Sequence, residues 1–131
     1  LFQGSDGYAD GGQQRDFISV EDVIEANMHF LERPALSGIF NLGTGRAQSF
    51  NDVAVASINA CLDADGQAAL TLEEMRTRGM IEYIAFPDAL RGKYQSFTQA
   101  DIAALRRAGY AQPFLTVEEG VARYCAQLLK I

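Results

Sequence analysis

Three basic side chains stand out against an acidic background. Arg15 opens the run Arg15-Asp16-Phe17-Ile18-Ser19-Val20-Glu21-Asp22-Val23, and Arg91 and Lys93 flank Gly92 with Tyr94 next to them. The chemistry open to them is recognition of an anion. A guanidinium and an ammonium form charge-assisted hydrogen bonds to phosphate oxygens, and an aromatic ring beside them suits a diphosphate with its attached group. Each has a plainer alternative: an ordinary surface arginine at Arg15 and a solvated loop at Arg91–Tyr94. Gly43-Thr44-Gly45 lies between a strand-like run and a helix, the context of a phosphate-binding turn. Gln48, however, stands where the full dinucleotide fingerprint carries its third glycine. A tight strand-to-helix turn accounts for the same two glycines. Bond-breaking chemistry finds no support: there is no Ser/His/Asp set, and the one histidine, His29, has too few partners for a metal. Arg106-Arg107 suit a helix C-terminus without any ligand.

The elements that must position these groups follow from patterning. Phe17, Ile18 and Val20 give the stretch from Arg15 to Ile18 strand character. Ser19 with Asp22 then predicts a capped helix to about Arg33, its apolar face Val20, Val23, Ile24, Met28 and Leu31, stopped by Pro34. Ile39–Leu42 reads as a buried strand, expected to be parallel because helices flank it. Ser49 with Asp52 caps a helix whose inner face is Phe50, Val53, Ala54, Ser57, Ile58 and Cys61. Thr71 with Glu74 starts a short helix ending near Gly79, and Met80–Phe86 reads as a third strand. Thr98 with Asp101 predicts a helix through Ile102, Leu105 and Ala108, and Thr116 with Glu119 caps the last, with Val117, Val121, Tyr124, Cys125 and Leu128 inward. Cys61 and Cys125 on these faces read as reduced core thiols.

The expected fold class is therefore α/β, with few short strands and about five helices. Open sheets usually hold roughly four to six strands, so this sheet is incomplete without strands from an N-terminal part or a partner chain. The 131 residues fit one domain, and 48% hydrophobic with 21% charged residues is the balance of a globular protein. A net charge of −6 argues against a general nucleic-acid or anionic-membrane surface. No apolar run approaches the ~20 residues of a membrane span, and the first residues lack the basic flank and apolar stretch of a signal peptide. A cytoplasmic piece of a longer protein is the expectation.

The run from Arg15 to Val23, followed by Gly38-Ile39-Phe40-Asn41-Leu42-Gly43-Thr44-Gly45, resembles the C-terminal half of extended short-chain dehydrogenase/reductase proteins, the nucleotide-sugar epimerases and dehydratases. A third block narrows the resemblance to the ADP-heptose epimerases, which supply the inner core of bacterial lipopolysaccharide. It runs Phe86-Pro87-Asp88-Ala89-Leu90-Arg91-Gly92-Lys93-Tyr94-Gln95-Ser96-Phe97-Thr98-Gln99-Ala100-Asp101, followed by Leu105-Arg106-Arg107-Ala108-Gly109-Tyr110.

The resemblance implies a two-part enzyme, a homo-oligomer (pentamer in the family), whose N-terminal Rossmann half holds NADP and a catalytic Tyr/Lys pair. Residues 1–131 would then be the substrate-binding C-terminal domain, docked on that half and inactive alone. No Tyr-x-x-x-Lys occurs here, since Lys93 and Lys130 have Ala89 and Ala126 four places earlier. The family's ADP-sugar contacts carry over to Phe2-Gln3-Gly4-Ser5, to Arg15 at the diphosphate, and to Tyr94. The family normally has glutamate where Gln3 stands, which leaves that position with backbone contacts rather than a charged one. No role carries over to Arg91 or Lys93. Another nucleotide-sugar epimerase or dehydratase, or a binding module without chemistry, are the alternatives.

Overall fold

Hydroxyl side chains start four of the five α-helices among the described residues. These are α1 (Val20–Leu31), α2 (Phe50–Ala64), α3 (Leu72–Thr77), α4 (Ala103–Arg107) and α5 (Val117–Leu128). This computed structural model describes residues 1–129; Lys130 and Ile131, the end of the expected domain, lie outside the described residues. Ser49, Thr71 and Thr116 each accept from the backbone N–H three residues on. Asp52, Glu74 and Glu119 reach back to the cap's own N–H at 2.8 Å, closing the reciprocal boxes the spacing predicts.

Two expected caps differ. Ser19 accepts from the Glu21 N–H at 3.3 Å, while Asp22 turns inward, 4% exposed, and accepts from the Leu115 N–H at 2.9 Å. The interior donor on the loop before α5 outcompetes the local cap. Thr98 with Asp101 starts no helix: α4 begins at Ala103, and Asp101 takes the Ala103 N–H at 2.9 Å one position outside the cap.

The strands shrink further than the sequence predicts. The sheet among the described residues is β1 (Gln14–Arg15) antiparallel to β2 (Gln48–Ser49), with single parallel bridges from Phe2 to Ile84 and from Gln14 to Phe97. The expected strand Arg15–Ile18 therefore keeps only its first residue. Met80–Phe86 keeps one bridge, at Ile84. Ile39–Leu42 forms no strand, and Ile39 is 97% exposed rather than buried. An apolar run becomes a strand only where another backbone lies alongside to take its N–H and C=O groups.

The interior among the described residues is one buried cluster, a few further buried side chains and a helix pair. Ala26, Leu105, Tyr110 and Phe114 are buried together, packed by Ile18, Phe30, Leu42 and Ile102. Met75, Ile81 and Phe86 are buried elsewhere, and α2 lies against α5. Arg106 secures the segment after α4: it donates to the Tyr110 and Gln112 carbonyls at 2.8 and 2.7 Å and sits 4.8 Å from the Phe114 ring centroid. His29 lies between the Phe30 and Tyr110 rings with Nε2 3.3 Å from the Ala108 carbonyl, a packing role.

Helix α1 turns most of its expected face outward, with Val23 half-buried. Asp22 and Ala26 point inward, whereas Val20, Ile24, Met28 and Leu31 face outward. Cys61 is exposed and Cys125 only half-buried, both as free thiols, so Cys61 is not a core residue.

Candidate functional site

The residues at the chain's start are held in place through their backbone. Gln3 donates its N–H to the Ile84 carbonyl at 2.9 Å, and Phe2 accepts from the Gly11 N–H at 2.9 Å. Gly4 gives its N–H to Asp10 at 2.8 Å. A side chain at Gly4 would collide with the Tyr8 carbonyl oxygen, so this close approach requires glycine. At Gln3 the exposed side chain makes no hydrogen bond among the described residues.

This anchoring sets Phe2 beside the other two candidates. Its ring lies edge-on to Tyr94 at 6.4 Å and to Phe86 at 5.5 Å, and Phe86 and Tyr94 meet at 5.4 Å. The Arg15 guanidinium, delivered by β1, sits 4.8 Å over the Tyr94 ring. One of its nitrogens donates to the Gln14 carbonyl at 2.8 Å, and no carboxylate pairs with it among the described residues. Leu1, Phe2, Gln13, Phe50, Ile84 and Tyr94 line a cleft of about 200 Å³ at this edge. A half-buried cation with no counter-ion among the described residues, braced on an aromatic ring beside an apolar slot, is an arrangement that can take an anion carrying a flat or apolar group.

Phe2, Arg15 and Tyr94 thus come together, and Gln3, Gly4 and Ser5 follow Phe2 in the chain without lining the cleft themselves. Arg91 is paired instead: its Nε meets Asp88 at 2.8 Å and its guanidinium lies 5.8 Å from the Phe86 ring. Lys93 is exposed. Two residues of the site carry no signal in the sequence. Phe86 reads as strand interior, and Gln13, 2% exposed, is a glutamine in a polar loop.

The glycine turn has a different occupant from the phosphate its context allows. Asp16 accepts from the Thr44 N–H and hydroxyl at 2.7 and 2.6 Å, from Gly45 at 2.9 Å and from Ala100 at 3.0 Å. Burial acts to raise the Asp16 pKa, but these hydrogen bonds outweigh it and hold the carboxyl below its ordinary value. A Cβ on Gly43 would lie 2.7 Å from an Asp16 oxygen, and Gly45 adopts a left-handed φ of 75°. The amides that would cradle a phosphate are taken by a carboxylate, so this turn does not fit a dinucleotide's phosphates.

This chain is α/β, with an arginine braced on an aromatic ring at one edge and no dinucleotide cradle at its glycine turn. Comparison gives the particular likeness: an ADP-L-glycero-D-manno-heptose-6-epimerase of Thiobacillus denitrificans (strain ATCC 25259 / T1) is 65% identical over 130 residues, 99% of this chain. The chain spans 39% of the length of that curated relative. No protein-family model matches the chain. No helix among the described residues is long and apolar enough to cross a membrane.

Proposed function

We propose that this chain is the C-terminal, substrate-binding part of an NADP-dependent ADP-glycero-manno-heptose 6-epimerase, making the heptose precursor of the lipopolysaccharide inner core in the bacterial cytoplasm. The observation that carries the reading is Arg15, a cation unpaired by any carboxylate among the described residues and braced over Tyr94 beside the Phe2–Ser5 run. In this reading Arg15 meets the diphosphate, Tyr94 and Phe2 flank the group attached to it, and the backbone of Gln3-Gly4-Ser5 contacts the ligand beside Phe2.

NADP supplies hydride transfer when bound. It belongs to an N-terminal Rossmann half with the proton-transferring Tyr/Lys pair, since the Asp16-filled turn offers it no cradle here. The chain alone is then inactive, and the working enzyme is a homo-oligomer in which each domain 1–131 docks on its own Rossmann half. The unpaired Ile39–Leu42 segment and the outward apolar face of α1 fit such docking.

The test is titration of the full-length protein with an ADP-sugar. Arg15→Ala is expected to weaken binding about 10- to 100-fold, roughly 1.5–3 kcal/mol for a charge-assisted hydrogen bond. Unchanged affinity would remove Arg15 from the site and the reading with it.

A further inference from the structure

We propose that Gln13 is the positioning residue of the ligand edge, fixing the Ser5 hydroxyl as a hydrogen-bond donor and turning the Gln3 carbonyl away from the ligand. The proposal rests on the reading of this edge as a nucleoside-diphosphate site and adds to it a residue that touches no phosphate itself.

Gln13 is among the most buried polar residues of the chain, 2% exposed. Its Nε2 carries two protons, and both are used: one goes to the Gln3 carbonyl at 3.0 Å and one toward the Ser5 Oγ at 3.3 Å. Its own backbone is fixed as well, because the Gln13 carbonyl accepts from the Phe50 N–H at 3.2 Å and the next two residues are β1. One side chain therefore ties the run Gln3–Ser5 to the strand that delivers Arg15, and Gln13 lines the cleft together with Phe2 and Tyr94.

The direction of these bonds is what matters to an anion. A carbonyl or a hydroxyl lone pair facing a diphosphate repels it, whereas an O–H facing it binds. By donating to both oxygens, Gln13 occupies the Gln3 carbonyl and a Ser5 lone pair. The Ser5 proton is given to no acceptor among the described residues, so it remains available to a ligand oxygen. Other bonds hold the loop beyond: Tyr8 N–H to the Ser5 carbonyl at 3.0 Å, and Ser96 Oγ to Asp6 at 2.5 Å. None of them touches the Ser5 hydroxyl. Asparagine is one methylene too short for both contacts, and glutamate has no proton to give.

The experiment is a double-mutant cycle in the full-length protein, with ADP as the titrant in calorimetry. Gln13→Met fills the same volume without donors and is expected to raise the ADP Kd about tenfold. In the Ser5→Ala background the same change is expected to cost clearly less, because the Ser5 part of its route to the ligand is gone and only the hold on the Gln3 carbonyl remains. An undiminished effect in that background would show that Gln13 does not act through Ser5 and overturn the proposal, as would wild-type affinity in Gln13→Met. If Gln13→Met binds as wild type while Arg15→Ala is weakened, only the Gln13 assignment falls; if wild type binds no ADP, both fall. Should Gln13→Met not fold, the ¹⁵N-labelled wild type decides. The Gln13 side-chain protons are expected to exchange slowly and to shift on adding ADP, and fast exchange or no shift would overturn the assignment.

Discussion

Arg15 and Asp16 are neighbours with opposite fates. Successive positions on extended backbone point to opposite sides, so one residue reaches the ligand edge and the next pins the glycine turn. Asp16 satisfies three backbone donors and one hydroxyl at once. Asp16→Asn, which turns an NH₂ group toward some of those donors, is expected to destabilise the chain by about 2–4 kcal/mol in denaturant melts, given ~1–3 kcal/mol per buried group left unsatisfied. The pH dependence has a definite sign. Because the folded pKa is depressed, the stabilisation is fully present above the unfolded value, about pH 4, and is lost as pH falls through the lower folded value. Glu74 and Glu119 are lowered in the same direction by their cap backbone N–H groups. Wild-type stability should therefore fall steeply on acidification below about pH 4, and the Asp16→Asn curve should be flatter there; parallel curves would count against the pin.

Helices and strands differ in what determines them. Helices with local signals appear where expected: Ser49-Asp52, Thr71-Glu74 and Thr116-Glu119 each close a box within four residues, and nothing distant needs to cooperate. Thr116→Ala is accordingly expected to cost about 1 kcal/mol and to lower the thermal midpoint, with Thr116→Ser retaining most of it; equal melts for all three would remove the cap from the account. Strands carry half of their determinants in another segment. Ile39–Leu42 has strand composition but pairs with no backbone among the described residues, while Gln48–Ser49, without strand composition, pairs because β1 is there. The same division governs the site. Arg15 and Tyr94 show in the sequence as a cation and a ring whose contact across 79 positions no spacing displays, and Gln13 has no pattern at all, since its role is set by which two oxygens lie within reach.

At the level of the molecule, the apolar surface is distributed unusually. Val20 and Ile24 of α1 and Tyr124 and Leu128 of α5 are exposed. The first three help line a groove of about 610 Å³ between α1, α2 and α5. Exposed apolar area of this kind associates with whatever apolar partner is at hand. The 131-residue chain by itself is expected to self-associate with concentration in sedimentation experiments, and Ile24→Lys to shift it toward monomer; a strictly monomeric wild-type chain would contradict this.

The pairing of Phe2 with Ile84 and of Gln14 with Phe97 has a further consequence, in time rather than space. A nascent chain leaves the ribosome from its N-terminus, so the run bearing Phe2 to Arg15 emerges long before either partner. At ~5–20 residues per second, that run remains without its partner strands for roughly four to sixteen seconds. Helices α1 and α2 can form meanwhile from local signals. The ligand edge assembles only once the aromatic loop has followed, so ligand competence comes late in the synthesis of this chain.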